Sequence, residues 1–375
     1  MSKLFSPITL RGLTLRNRTV VAPMCQYSAQ DGFVNDWHFV HLGRFAMGGF
    51  GLVMVEATGV LPEGRITYGD TGIWKDEHIA PLARIVDFIH SQGAAAGIQL
   101  AHAGRKASTP VPWRNGFDET EAEKSALAFE SWIPVAPSAE IHADHPDFTA
   151  PEALDEAGIA RVKQAFVDGA LRALKAGFDT VELHFAHGYL LNQFLSPLAN
   201  KRIDRYGGSR ENRMRLALEI TDEVRAVWPA DKPLLARLSV TDWHPEGWQV
   251  EDSVALAREL KARGVDAIDA SSGGFAGASI RAVADYQVPL AQALRDGADI
   301  PTMAVGLLGD AHRAEEIVAS GEADFIALAR GALDDPNWAA HASLELGDTG
   351  YGLFPNQTRR VRDRDRALGL RSFAN

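Results

Sequence analysis

Cysteine is almost absent: Cys25 is the only one in 375 residues. A single thiol excludes an internal disulfide framework, a cysteine-ligated iron–sulfur cluster and a four-cysteine zinc site. No apolar run approaches the ~20 residues of a membrane span. The opening Met1-Ser2-Lys3-Leu4-Phe5-Ser6-Pro7 lacks the apolar region of a secretion signal. Positive charge is also short. The formal net charge is −11, which argues against a nucleic-acid partner, since that would need a basic face. No Gly-x-Gly-x-x-Gly follows an early strand-like run, so the main sign of a doubly wound dinucleotide-binding sheet is missing. The expectation is a cytoplasmic protein with no nucleic-acid or membrane partner.

Hydrophobic residues are plentiful at 46%, and 34 glycines with 18 prolines imply many short loops. Eight apolar, strand-like runs fall at 19–23, 51–57, 95–102, 180–187, 234–240, 267–272, 302–306 and 325–330. Their near-continuous apolarity fits strands covered on both faces. Helical patterns separate them. Between Asp76 and Gln92, residues Ile79, Leu82, Ala83, Val86 and Ile89 keep the spacing of one buried face, with Asp76 as N-cap and Gly93 as stop. The stretches from Val250 to Arg263 and from Asp310 to Ser320 repeat the scheme. Eight strand–helix units predict an α/β fold, a (β/α)8 TIM barrel, with a long excursion after strand three. That excursion, 105–153, has little periodicity, many prolines, and Trp113 and Trp132. It reads as a cover over the barrel mouth; a surface elaboration is the alternative.

Functional residues of such barrels gather at the C-terminal ends of the strands. Strand four ends in His184-Phe185-Ala186-His187-Gly188-Tyr189. Two imidazole N–H donors can hold and polarise one oxygen, and a phenol can deliver a proton beside it. That chemistry suits an unsaturated carbonyl and needs a source of electrons that no side chain supplies. A metal site is an alternative for His-x-x-His, with Glu182 the close carboxylate. Two ordinary buried histidines are another. Residues i and i+3 on a strand face opposite sides unless the backbone turns.

Other strand ends add candidates. Arg237 lies among apolar residues, so its guanidinium must be paired, either structurally or beneath a group that becomes anionic. Gln99 ends another apolar strand. Gly306 and Gly331, with Arg330, suit a phosphate after strands seven and eight, although glycines there also serve simple turns. Flavin mononucleotide meets these demands together: its phosphate at strands seven and eight, its pyrimidine edge on Gln99, and Arg237 near N1.

The stretch SPLANKRIDRYGGSRENR at 196–213 resembles the signature of the old yellow enzyme family. The likeness extends through His184–Leu190, Asn17-Arg18, Ala22-Pro23-Met24, Ala304-Val305-Gly306 and Leu328-Ala329-Arg330, nearly the whole chain. Pro23-Met24-Cys25-Gln26-Tyr27 and the tract from Gln99 to Ala107 resemble the bacterial xenobiotic and thermophilic-type ene-reductase branch. The resemblance implies one barrel over 1–375 with non-covalent FMN, NADPH or NADH as hydride donor, and a homodimer or homotetramer. It implies that Pro23, Met24, Cys25 and Ala57 lie at the flavin ring. Gln99 and Arg237 bind its pyrimidine edge, and Gly306, Ala329 and Arg330 hold the phosphate. His184 and His187 anchor the substrate oxygen, Tyr189 donates the proton and Tyr27 lines the pocket. No metal is implied. Arg202 and Tyr206 read as scaffold for the loop after strand four. The tail, 356–375, departs from the branch: Arg360 is the nearest match to a residue that enters a neighbouring subunit's site, and a solvated charge run is the alternative. The implied activity is reduction of activated C=C bonds in enone-type small molecules. A slow flavin-binding redox sensor is the alternative, although a sensor needs no proton donor.

Overall fold

The computed structural model describes residues 2–113, 131–141, 149–348 and 350–367. Its strands in chain order are β1 (Ile8–Leu10), β2 (Leu13–Leu15), β3 (Thr19–Val21), β4 (Leu52–Gly59), β5 (Ala95–Ala101), β6 (Val135–Ala136), β7 (Glu152–Ala153), β8 (Thr180–Phe185), β9 (Leu234–Ser239), β10 (Ala267–Ser271), β11 (Thr302–Val305) and β12 (Phe325–Leu328). Strands β3, β4, β5, β8, β9, β10, β11 and β12 close into one parallel barrel, with β12 pairing back onto β3. These are the eight apolar runs, most of them cut short at the C-terminal end. The run at 180–187 stops as a strand at Phe185, and that at 19–23 stops at Val21. Only β4 outruns its expectation, reaching Gly59 through a bulge between Val55 and Ala57.

Helices cover the outside. Helix Ile79–Ser91 buries Leu82, Ile85, Val86 and Ile89, and helix Val250–Ala262 buries Leu256, Ala257 and Leu260. Helix Ala311–Ser320 is capped by the Asp310 side chain and ends at Gly321, whose φ of 82° suits glycine. Asp76 does not act as the expected N-cap. It opens a short 3-10 turn, and its carboxylate pairs with Arg172 at 2.8 Å instead. No described helix is long and apolar enough to cross a membrane.

The antiparallel pair β1–β2 was not visible as a periodic signal. Its Leu10 and Leu15 pack against Val20, Leu52, Leu235, Ala267, Met303 and Phe325, and so plug the foot of the barrel. The excursion contributes the parallel pair β6–β7. Its described flanks touch the mouth side: Trp113 meets Tyr27 edge-on at 5.9 Å, and Trp132 Nε1 donates to Glu63 O at 2.9 Å. Residues 114–130 and 142–148 of the expected cover, and 368–375 of the tail, lie outside the described residues.

Candidate active site

Strand β8 carries His184 into the barrel, where it is buried. The chain then leaves the strand through two left-handed residues, His187 (φ 62°) and Gly188 (φ 70°). A Cβ on Gly188 would sit 2.1 Å from Gly274 O, so the turn requires glycine there. This turn removes the objection to His-x-x-His on a strand. The His184 and His187 rings come to 5.2 Å between centroids, and the Tyr189 ring lies at 5.2 Å from His184.

A non-glycine residue in the left-handed region is strained unless its surroundings hold it. Three contacts hold His187. Its backbone N–H donates to Ser239 Oγ at 2.9 Å, and its carbonyl accepts from Lys106 Nζ at 2.8 Å. Its ring Nε2 lies 2.7 Å from Ser271 Oγ. Ser239 and Ser271 are register partners at the ends of β9 and β10. Lys106 Nζ also donates to Gly274 O at 2.7 Å, which ties the start of the excursion to both loops. None of these three side chains was assigned a role from sequence. The available signal was a serine ending each of two apolar strands.

Beneath the cluster lies a polar layer. Register sets Gln99 opposite Glu182, His184 opposite Arg237, and Arg237 opposite Asp269. Gln99 Nε2 donates to Glu182 Oε1 at 2.8 Å. Glu182, the carboxylate considered as a metal ligand, is therefore engaged with Gln99. Arg237 Nε lies 3.2 Å from Asp269 Oδ2, but the alignment is poor. Arg237 Nε, Asp269 Oδ1 and His184 Nδ1 are buried without a hydrogen-bond partner among the described residues.

The loop after β3 forms one wall. Tyr27 is left-handed (φ 49°). The loop is held from below by buried Glu56, which accepts from the Gln26 N–H and, at 2.6 Å, from Thr71 Oγ1. His38 Nε2 lies 3.1 Å from the same carboxylate. Glu56 directly precedes Ala57, so one side chain fixes two predicted ring-lining segments. Its importance was not read from sequence, where Ala57 was the residue singled out at this strand end.

At the neighbouring strand ends, Gly306 follows β11 with φ 116°, and Ala329 and Arg330 follow β12. Arg330 is exposed, and a Cβ on Gly331 would meet nothing within 4 Å. Arg202 and Tyr206 lie in the loop after β8 and tie it to the excursion and to helix Arg210–Val227. Arg202 Nη1 donates to Pro137 O at 3.0 Å and Leu154 O at 2.6 Å, and Tyr206 OH to Glu219 at 3.0 Å. Arg360 does not join the cluster. It is exposed on helix Asn356–Ala367. That helix begins beside Arg16, Met47 and Gln92, at the foot end of the barrel.

Burial dominates the electrostatics. It pushes His184 and His187 well below the ordinary histidine range, with Arg237 adding to the effect, so both rings are neutral donors near pH 7. Burial raises Tyr189 well above the usual phenol range, and it raises Cys25 likewise, with help from Asp70 and Glu56. The tyrosine thus keeps its proton until a strong base appears.

These features fit FMN. Unpartnered buried polar atoms lie on β8, β9 and β10 near their C-terminal ends, the small residues Gly306, Ala329 and Gly331 follow strands β11 and β12, and Pro23, Met24 and Ala57 offer an apolar surface. The fold and site together define a TIM-barrel flavin oxidoreductase. Residues 3–348 match the NADH:flavin oxidoreductase / NADH oxidase family. The chain belongs to that family, the old yellow enzymes whose signature 196–213 resembles. It is 47% identical over 346 residues to an NADPH dehydrogenase of Geobacillus thermodenitrificans, covering 92% of this chain and 94% of that one. It is 46% identical over 352 residues to an NADPH dehydrogenase of Halalkalibacterium halodurans, covering 93% and 96%. Among solved structures, morphinone reductase superposes with a TM-score of 0.75 at 27% identity over 95% of this chain and 94% of that one. A 2-naphthoyl-CoA reductase complex shares the fold, with a TM-score of 0.81 at 24% identity; this chain covers 52% of that longer chain and 92% of its own length. The protein is an NAD(P)H-dependent oxidoreductase with FMN as cofactor.

Proposed function

We propose that the protein is an ene-reductase that reduces the activated C=C bond of α,β-unsaturated carbonyls and nitroalkenes. The observation that carries this reading is the His184–His187–Tyr189 cluster, two neutral imidazoles and one protonated phenol within one ring-to-ring contact distance. When bound, FMN supplies the hydride chemistry, receiving a hydride from NADPH or NADH and delivering one to the substrate β-carbon. Pro23, Met24, Cys25 and Ala57 would line its ring. Gln99 Nε2 is engaged by Glu182, which leaves Gln99 Oε1 to accept from the pyrimidine N–H. Arg237 would face the pyrimidine edge, and Gly306, Ala329 and Arg330 would hold the phosphate.

The chain's own residues then do three things. His184 and His187 donate hydrogen bonds to the substrate oxygen and stabilise the enolate charge that develops there. Tyr189 protonates the α-carbon. Its raised pKa suits a donor that must not ionise before the carbanion forms. Tyr27 and Trp113 wall the pocket, and the described flanks of the excursion limit water at the mouth. The proposal includes a cytoplasmic homo-oligomer in which Arg360, remote from its own mouth, reaches a neighbour's site.

The test is NADPH oxidation without oxygen, with and without cyclohexenone. Turnover that depends on the enone, yielding cyclohexanone, is expected. Flavin reduction without enone-dependent reoxidation would overturn the ene-reductase reading.

A further inference from the structure

The layer beneath the cluster holds more acid than base. Glu182 on β8 and Asp269 on β10 are each 1% exposed, and Arg237 on β9 is 6% exposed. The groups that face Glu182 are Gln99 from β5, Arg237 from β9 and Asp269 from β10, with His184 next on its own strand. Toward the foot, the barrel interior is apolar, with Met303 on β11 and Phe325 on β12. One guanidinium neutralises one carboxylate. A second buried carboxylate would be an uncompensated charge, which a protein interior avoids by keeping a proton. Burial pushes the Asp269 carboxyl up as well, but the Arg237 guanidinium at 3.2 Å opposes that rise, which favours the negative charge on Asp269 over Glu182. Glu182 is engaged by a neutral amide, Gln99.

We propose that Glu182 is a proton-holding positioning residue: it orients Gln99 and, above neutral pH, takes up a proton from solvent when the flavin is reduced. This rests on the reading of the barrel mouth as the FMN site. Burial first, and then Asp269, raise the Glu182 carboxyl to about 8, against the opposing pull of Arg237 and Gln99. Below that range Glu182 is already protonated and the layer is neutral. Above it the oxidised protein carries a net negative layer. Two electrons arriving at the pyrimidine edge then draw a proton onto the Glu182 carboxylate, which becomes a carboxylic acid. The balance is two electrons and one proton on the flavin, plus one proton from water on Glu182.

The experiment is a redox titration of the FMN-loaded protein across roughly pH 6 to 10. The slope of midpoint potential against pH should double above about 8, because two protons then accompany two electrons. Glu182→Gln preserves shape and the Gln99 contact but cannot titrate, so its slope should stay single. Asp269→Asn removes the second carboxylate and its repulsion but not the burial, so the onset of the doubled slope should move to lower pH than in the wild type. Infrared spectra of the flavin-free protein give an independent readout: a protonated-carboxyl band at neutral pH, lost in Glu182→Gln. A single slope in the wild type, or a doubled slope that survives in Glu182→Gln, overturns the inference while leaving the FMN site intact. Protein that binds no FMN on reconstitution overturns the site reading and this inference together.

Discussion

At the foot of the barrel the inward residues are Val20, Leu52, Leu235, Ala267, Met303 and Phe325, closed over by Leu10 and Leu15 of the hairpin. At the mouth, β5, β8, β9 and β10 present Gln99, Glu182, His184, Arg237 and Asp269, three of them with buried polar atoms lacking partners among the described residues. The backbone ladder runs from foot to mouth with one register shift, between Val55 and Ala57, so the difference lies mainly in the side chains. The foot gains from apolar burial. The mouth bears desolvation costs that only a polar ligand can offset. Stability and chemistry are thus divided along the barrel; on β9 and β10 the foot residues Leu235 and Ala267 and the mouth residues Arg237 and Asp269 lie two positions apart.

The largest effect should come from the foot. Phe325 is fully buried, and Phe325→Ala should cost about 3–5 kcal/mol of unfolding free energy, through lost burial and a cavity that rigid strands cannot close. Denaturant unfolding of the flavin-free protein measures it. A cost comparable to that of mouth substitutions would break the division.

Tyr189→Phe should barely alter unfolding, yet slow reoxidation of the reduced protein by an enone by about 100-fold, the lower range for a lost general acid. Reduction by NADPH should stay near wild type in stopped-flow. Equal slowing of both half-reactions would make Tyr189 a structural residue.

His184→Ala and His187→Ala should each lower kcat/KM by about 1–3 kcal/mol, or roughly 5- to 150-fold, with FMN still bound. Their pH signature is separate. Both rings have folded-state values below that of the unfolded chain. The unfolded chain therefore binds more protons in acid, and stability present above about pH 6.5 is lost as pH falls below it. A double Asn variant should lose less stability between about pH 6.5 and 5 than the wild type. Parallel curves would mean that the imidazoles titrate normally.

The eight barrel strands were legible because parallel strands buried on both faces read as unbroken apolar runs. Their ends were not, because the last residues of several runs turn out of the strand; His187 does so in the left-handed region, where strand periodicity has no meaning. The hairpin escaped notice because two three-residue strands are too short to show alternation. Arg237 was legible as a guanidinium in need of a partner. Its partner Asp269 was not, since register across two strands is a tertiary fact. For the same reason the Glu56–His38 pair, Lys106, Ser239 and Ser271 carried no local signal, although they hold the residues that did.

The smallest predicted effect tests how finely the mouth is set. The Ser271 hydroxyl is buried, and its hydrogen-bond partner among the described residues is His187 Nε2 at 2.7 Å. A buried hydroxyl that lacks another acceptor donates there, because an unspent donor costs free energy. The ring is neutral, so its one proton must sit on Nδ1, which makes Nδ1 the donor to the substrate oxygen. Ser271→Ala removes that instruction without touching the substrate. Phenol affinity should fall by about 0.5–1.5 kcal/mol, roughly 2- to 12-fold, with the melting temperature nearly unchanged. Nitrogen chemical shifts of labelled His187 should move from one tautomer to a mixture. Ser271→Thr, which retains the hydroxyl, should restore both readouts. If the wild-type shifts already show Nε2 protonated, the serine accepts rather than donates, and the substrate-facing proton must come from His184 alone.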